Sequence, residues 1–308
     1  MLKRLTIHID SNSAQELFCK TIEHISSKLT ILFVDCTKKY GTPVLEHLLA
    51  NSHLLPCLRC LMLTHVDFRN TPLQDISTAF PLLTGLTFLS GIVPHNSNDR
   101  LHLPQLESLY IGKVNLGDMR PQNWYIPALL RLLISINEDE GPEVTFRLVK
   151  ALGASLVLLR VDTNLQHFSV GADIWTSCPR LTELVIRLSA VEFLAPIPVG
   201  HPLRYVINKD TEDARGKVSL RLRFQNNIIA LGDKVEVIIM TSLSWKDHIA
   251  NRPQEDTYLE KMSRLLGAKG TQLQDMEGRT MDDYLQMALP LTQENVGPSQ
   301  PQIKFSVE

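Results

Sequence analysis

One phrase recurs along the chain, and its spacing narrows the possible folds more than any other feature. Leu-x-x-Leu-x-(Ile/Leu/Val/Phe) starts at Leu2, Leu29, Leu58, Leu83, Leu106, Leu129, Leu156 and Leu181, at offsets of 27, 29, 25, 23, 23, 27 and 25 residues. A weaker ninth frame begins at Leu203. The alternating pair at the end of each phrase sends two side chains to one face of a strand, while the step of three before it belongs to a turn. A repeat of about 20 to 29 residues marks a stacked array rather than an ordinary closed domain. Five frames carry proline two places before the first leucine (Pro56, Pro81, Pro104, Pro127 and Pro179), where a fixed φ and a missing N–H suit the start of a strand.

Helix signals fill the intervals. Ser13 and Glu16 read as a capping box ahead of Phe18, Ile22 and Ile25, and Thr42-Pro43 and Thr71-Pro72 each read as a cap before a first-turn proline. Apolar stripes follow at steps of three and four: Leu45, Leu48 and Leu49; Leu73, Ile76 and Phe80; Val144, Leu148 and Leu152. A strand-turn-helix unit cannot bury its apolar face alone, so neighbours must stack, with a curved parallel sheet on the concave side and helices on the convex side. After Leu203 the rhythm changes. "KVSLRLRF" alternates like a half-buried strand and "VEVIIM" like a more buried one. Residues 254–266 place Tyr258, Met262, Leu265 and Leu266 on one helical face, 267–278 read as a polar break, and 280–289 as a short helix. The expected organisation is a repeat array over 1–252, a helical cap over 253–289 and a flexible, Pro- and Gln-rich tail over 290–308.

The repeated strands, with their Pro-x-Leu-x-x-Leu-x-(Ile/Leu/Phe) form over residues 2 to about 208, resemble the leucine-rich repeat superfamily. The ending "VEVIIMTSLSWKDHIANRPQEDTYLEKM" narrows the likeness to the repeat region of fungal F-box-like proteins. The resemblance implies an α/β fold, an irregular leucine-rich-repeat solenoid, and a non-catalytic scaffold that recognises a protein for a ubiquitin ligase. In that family an F-box that docks onto the ligase would precede the repeats, whereas this chain is expected to start inside a strand at Met1-Leu2, so the ligase role itself is not carried over. The ninth place of the repeat, commonly Asn or Cys, holds Asp10, Thr37, Val66, Gly91, Val114, Asn137, Asn164 and Ser189, which implies an uneven array.

Composition removes some classes of function. A net charge of -2 gives no basic field for nucleic acid or anionic lipid. No apolar run approaches the ~20 residues that span a bilayer, five cysteines do not pair evenly, and no Asn-x-Ser/Thr acceptor occurs, so an intracellular protein is expected. Gly-x-Ser-x-Gly, His-Glu-x-x-His, P-loop and Gly-x-Gly-x-x-Gly motifs are absent, which argues against an enzyme and gives no reason to expect a cofactor. Cys57-x-x-Cys60 with His53 and His65 is the one arrangement that suggests a metal, but the strand phase separates the two thiols. His8, His47, His102 and His167 read as surface residues, and the acidic stretch 137–141 as a solvated loop. The place between the two aliphatic strand residues faces the concave side and holds Thr6, Phe33, Met62, Thr87, Tyr110, Leu133, Arg160 and Val185. Apolar residues there suit a face that binds a protein partner through Phe33, Met62, Tyr110, Leu133, Arg160 and Val185. Three alternatives stay open: the row is ordinary core covered by the tail, the chain is a truncated or self-associating repeat fragment without independent function, or it is an enzyme with an unrecognised site.

Overall fold

The computed structural model describes residues 3–24, 27–66, 72–90, 100–112, 120–136, 142–163, 168–171, 173–193, 195–210, 218–250 and 258–288. Thirteen strands are present among them: β1 (Arg4–Ile9), β2 (Ile31–Cys36), β3 (Cys60–Thr64), β4 (Gly85–Leu89), β5 (Ser108–Gly112), β6 (Arg131–Ile136), β7 (Leu158–Thr163), β8 (Phe168–Val170), β9 (Glu183–Ile186), β10 (Val191–Phe193), β11 (Tyr205–Asn208), β12 (Val237–Met240) and β13 (Gln272–Asp275). Eleven form one sheet whose order follows the chain, with β8 and β10 set aside as a two-stranded sheet of their own. Every pairing within both sheets is parallel. The protein is therefore α/β with a large parallel sheet.

Nine α-helices are described: α1 (Asn12–His24), α2 (Gly41–Ala50), α3 (Leu73–Ala79), α4 (Pro142–Leu152), α5 (Asp173–Ser177), α6 (Val218–Leu231), α7 (Trp245–Ala250), α8 (Tyr258–Ala268) and α9 (Met281–Ala288). One continuous core joins them to the sheet. It contains the aliphatic pair of each central repeat, such as Leu32 and Val34, Leu61 and Leu63, Leu109 and Ile111, together with Phe18, Ile22, Leu45 and Leu48 from the helices. Between β4 and β6 no α-helix is described. Leu101, Leu103, Trp124 and Ile126 fill that side instead, around a short parallel bridge between His102 and Tyr125.

Several expectations need correction. The part of "KVSLRLRF" from Val218 onward is not a strand, because it opens α6. Alternation over eight residues loses to topology: β11 and β12 are parallel neighbours, and a parallel crossover needs about a dozen residues, usually helical. The helix buries Phe224, Asn227, Ile228 and Leu231 at steps of three and four. The break at 267–278 contains β13, the last strand of the large sheet, so the sheet reaches into the expected cap. Leu265 is 42% exposed, whereas Leu259, Met262 and Leu266 are the buried apolar residues of α8. At α1 the cap is Ser11, whose Oγ accepts the Ala14 N–H at 3.2 Å. Thr42 and Pro43 lie inside α2, and Pro72 itself is the cap residue of α3. Leu2, Ile25, Thr71, Gly91, Val114, Asn137, Asn164, His167, the stretch 137–141 and the tail 290–308 lie outside the described residues.

The far end of the sheet is closed by its own turn. Asp275, fully buried, accepts N–H bonds from Glu277 at 2.9 Å and Arg279 at 3.0 Å, and Gln274 forms an antiparallel bridge with Thr280. Thr280 and Asp283 then cap α9.

Candidate functional site

Parallel pairing without a slip puts the central strand positions into one row. Thr6 pairs with Phe33, Phe33 with Met62, Met62 with Thr87, Thr87 with Tyr110, Tyr110 with Leu133, Leu133 with Arg160 and Arg160 with Val185. All eight positions read from the sequence are thus brought together. The row also continues through Ile207, Ile239 and Gln274, which sequence reasoning missed. The signal for Ile207 was present in the weak frame at Leu203 and that for Ile239 in "VEVIIM", whereas Gln274 falls in the stretch 267–278 read as a polar break.

Burial alternates sharply between the two sheet faces. Leu32, Leu61, Leu86, Leu109 and Leu132 are buried in the core, whereas Phe33, Met62, Thr87, Tyr110, Leu133 and Arg160 are half-buried and belong to no part of it. Thr6 is exposed. Val185 differs: it is only 5% exposed although it, too, stands outside the core cluster, so it cannot offer the contact area expected of it. The tail proposed as a cover for the row lies outside the described residues.

Local contacts fix several of these side chains. The Arg4 guanidinium sits 4.8 Å from the centre of the Phe33 ring, a cation–π contact at the start of the row. The Tyr110 ring runs along the strand above Gly112, where a Cβ would stand 3.2 Å from ring atoms and 2.5 Å from Leu89. Burial pushes the Tyr110 hydroxyl upward, and the negative charge of Asp162 adds to that, so the phenol stays a neutral donor at physiological pH. Arg160 binds Asp162 through Nε at 2.8 Å and through its terminal nitrogen at 2.6 Å. This pairing raises the Arg160 pKa further above its ordinary value. The centre of the row is therefore aromatic and aliphatic, with its nearest charge already paired.

A second polar group stands beside β1 to β3. His8 Nδ1 lies 3.0 Å from one Asp35 oxygen, and the Thr64 hydroxyl donates to the other at 2.9 Å. The Thr64 hydrogen bond, then His8, hold the Asp35 carboxyl below its ordinary value. Thr64 Oγ1 also accepts the Cys36 N–H at 2.7 Å, so this hydroxyl orients backbone and carboxylate together.

Cys57 is exposed in the turn before β3, while Cys60 is half-buried with its Sγ 3.1 Å from the Cβ position of Gly85. Burial raises the thiols of Cys36 and Cys178, to about 11 and about 12. Among the described residues no group of three or more His, Cys, Asp or Glu stands together as a metal site, and no helix is long and apolar enough to cross a membrane. No family model matches the chain, and comparison with curated proteins gives no match.

Proposed function

We propose that this protein is a leucine-rich-repeat scaffold, a solenoid that binds a protein partner along the sheet face turned away from the helices. The observation that carries the reading is the aligned row of half-buried Phe33, Met62, Tyr110 and Leu133 outside the core. A solvated sheet face ordinarily carries polar side chains in such positions. Strands lie about 4.8 Å apart, so the eight positions from Thr6 to Val185 span roughly 34 Å. That length suits a helix of about 20 residues. In the F-box-like reading the partner is a ubiquitin-ligase substrate, and ubiquitin-ligase components are recovered together with the protein.

The test is quantitative affinity purification followed by mass spectrometry, with wild type, Tyr110→Ala and Leu133→Ser measured side by side with their melting temperatures. We expect each variant to lose its partner by about thirtyfold in affinity, the ~2 kcal/mol typical of an interface anchor, with nearly unchanged Tm. A large fall in Tm without loss of any partner would make the row covered core and remove the proposed face.

A further inference from the structure

The helix-bearing side carries a second feature that the sheet row does not explain. Helices α6 and α8 lie side by side and run in the same direction. Near their starts Arg221 Cζ stacks 4.6 Å from the centre of the Tyr258 ring; near their ends a Cβ at Gly232 would stand 2.7 Å from Leu266, and Thr271 Oγ1 donates to the Gly232 carbonyl at 3.0 Å. Three large aliphatic side chains nevertheless point outward from this pair: Leu222 is 54% exposed, Ile229 44% and Leu265 42%. Leu222 and Ile229 are seven residues apart and share one ridge of α6, about 10 Å apart along its axis. Leu265 is seven residues from Tyr258 and so lies on the side of α8 that meets α6.

Charge is concentrated at the same place. Residues 218–234 and 258–270 contain six cations, Arg221, Arg223, Lys234, Lys261, Arg264 and Lys269, against two anions, a local +4 in a chain of net charge -2. Of the two anions, Asp233 lies 3.3 Å from Lys234 and Glu260 is buried, so neither stands on the open rim formed by the other cations. Arg223 turns inward to the Ser189 carbonyl, which leaves Arg221, Lys261, Arg264 and Lys269 exposed around the aliphatic ridge.

We propose that the furrow between α6 and α8 docks an amphipathic α-helix of a partner protein, with an aliphatic stripe against Leu222, Ile229 and Leu265 and acidic side chains toward the basic rim. Anchors seven residues apart match the repeat with which one helix presents apolar residues to another. A second copy of the same surface is disfavoured, because a two-fold contact would set cations against cations.

Fluorescence anisotropy on the whole chain tests this with two synthetic helix-forming peptides of about 20 residues, each with leucine at every third or fourth place, one flanked by glutamate and the other by lysine. The glutamate peptide is expected to bind at least about tenfold more tightly, and less so as salt rises. Leu222→Ser with Ile229→Ser, and separately Lys261→Glu with Arg264→Glu, should each weaken it about tenfold or more with Tm unchanged, since all four side chains are exposed. Equal binding of the two peptides, no binding near millimolar concentration, or indifference to both double variants would overturn the proposal. So would stronger binding to phosphatidylserine-containing vesicles than to the glutamate peptide, which would reassign the surface to anionic membrane.

Discussion

The His201 ring is held between two backbone groups, with Nε2 3.1 Å from the Cys178 carbonyl oxygen and Nδ1 accepting the Leu203 N–H at 3.3 Å. A neutral ring with its proton on Nε2 satisfies both, whereas a second proton on Nδ1 would face an N–H. Burial lowers its pKa below the ordinary 6.5, and carbonyl contacts only partly oppose this. The unfolded chain therefore takes up the proton first as pH falls. The contribution of His201 to stability is complete above pH 6.5 and is lost as pH falls from there through the folded-state value. Urea midpoints measured at pH 7.5 and 5.5 should fall more for wild type than for His201→Gln, and an identical fall in both would show that the ring does not report folding. At the same scale, Gly41 is required by close approach, since a Cβ there would stand 2.2 Å from the His65 carbonyl oxygen. His65 itself adopts φ 55° where the chain leaves β3. Neither constraint is legible in the sequence, because each depends on a neighbouring turn about a repeat away.

At the scale of elements, the strands of the leucine frames were legible, while β8, β10, β13 and the helix ends were not. Each leucine frame with its first residue among the described residues gave a strand at the expected phase, because a period of two has one solution once a face is buried. Caps depend on single hydrogen bonds, and Ser11 rather than Ser13 makes the one at α1. The misreading of α6 has the same origin: the sequence 217–224 alternates, but the parallel neighbours on either side of it require a crossover. The strand phase itself gives a sharp expectation. Leu109 is fully buried while Ser108, one residue away, faces the open side. Leu109→Ala should cost ~2 to 5 kcal/mol, against a change near zero for Ser108→Ala. Chemical denaturation of the two variants decides the matter, and similar losses would mean that the register is wrong.

Across the whole molecule, strand order equals chain order, so each strand of the large sheet bonds only to the ones beside it. Stability in such an arrangement is approximately a sum of units and the contacts between neighbours. Asp275 holds the last unit. Its buried carboxylate accepts the N–H groups of Glu277 and Arg279, and Trp245 N lies 3.4 Å away, which joins the turn after β13 to the start of α7. Asp275→Ala leaves these donors without that acceptor, at about 1 to 3 kcal/mol for a buried group left unpaired. The loss should remain local: amide hydrogen exchange should quicken in β12, β13 and α7, while β2 to β4 keep their protection. Equal acceleration from β2 to β13 would instead mean that the eleven strands unfold as one cooperative unit, and the picture of additive neighbouring units would not hold.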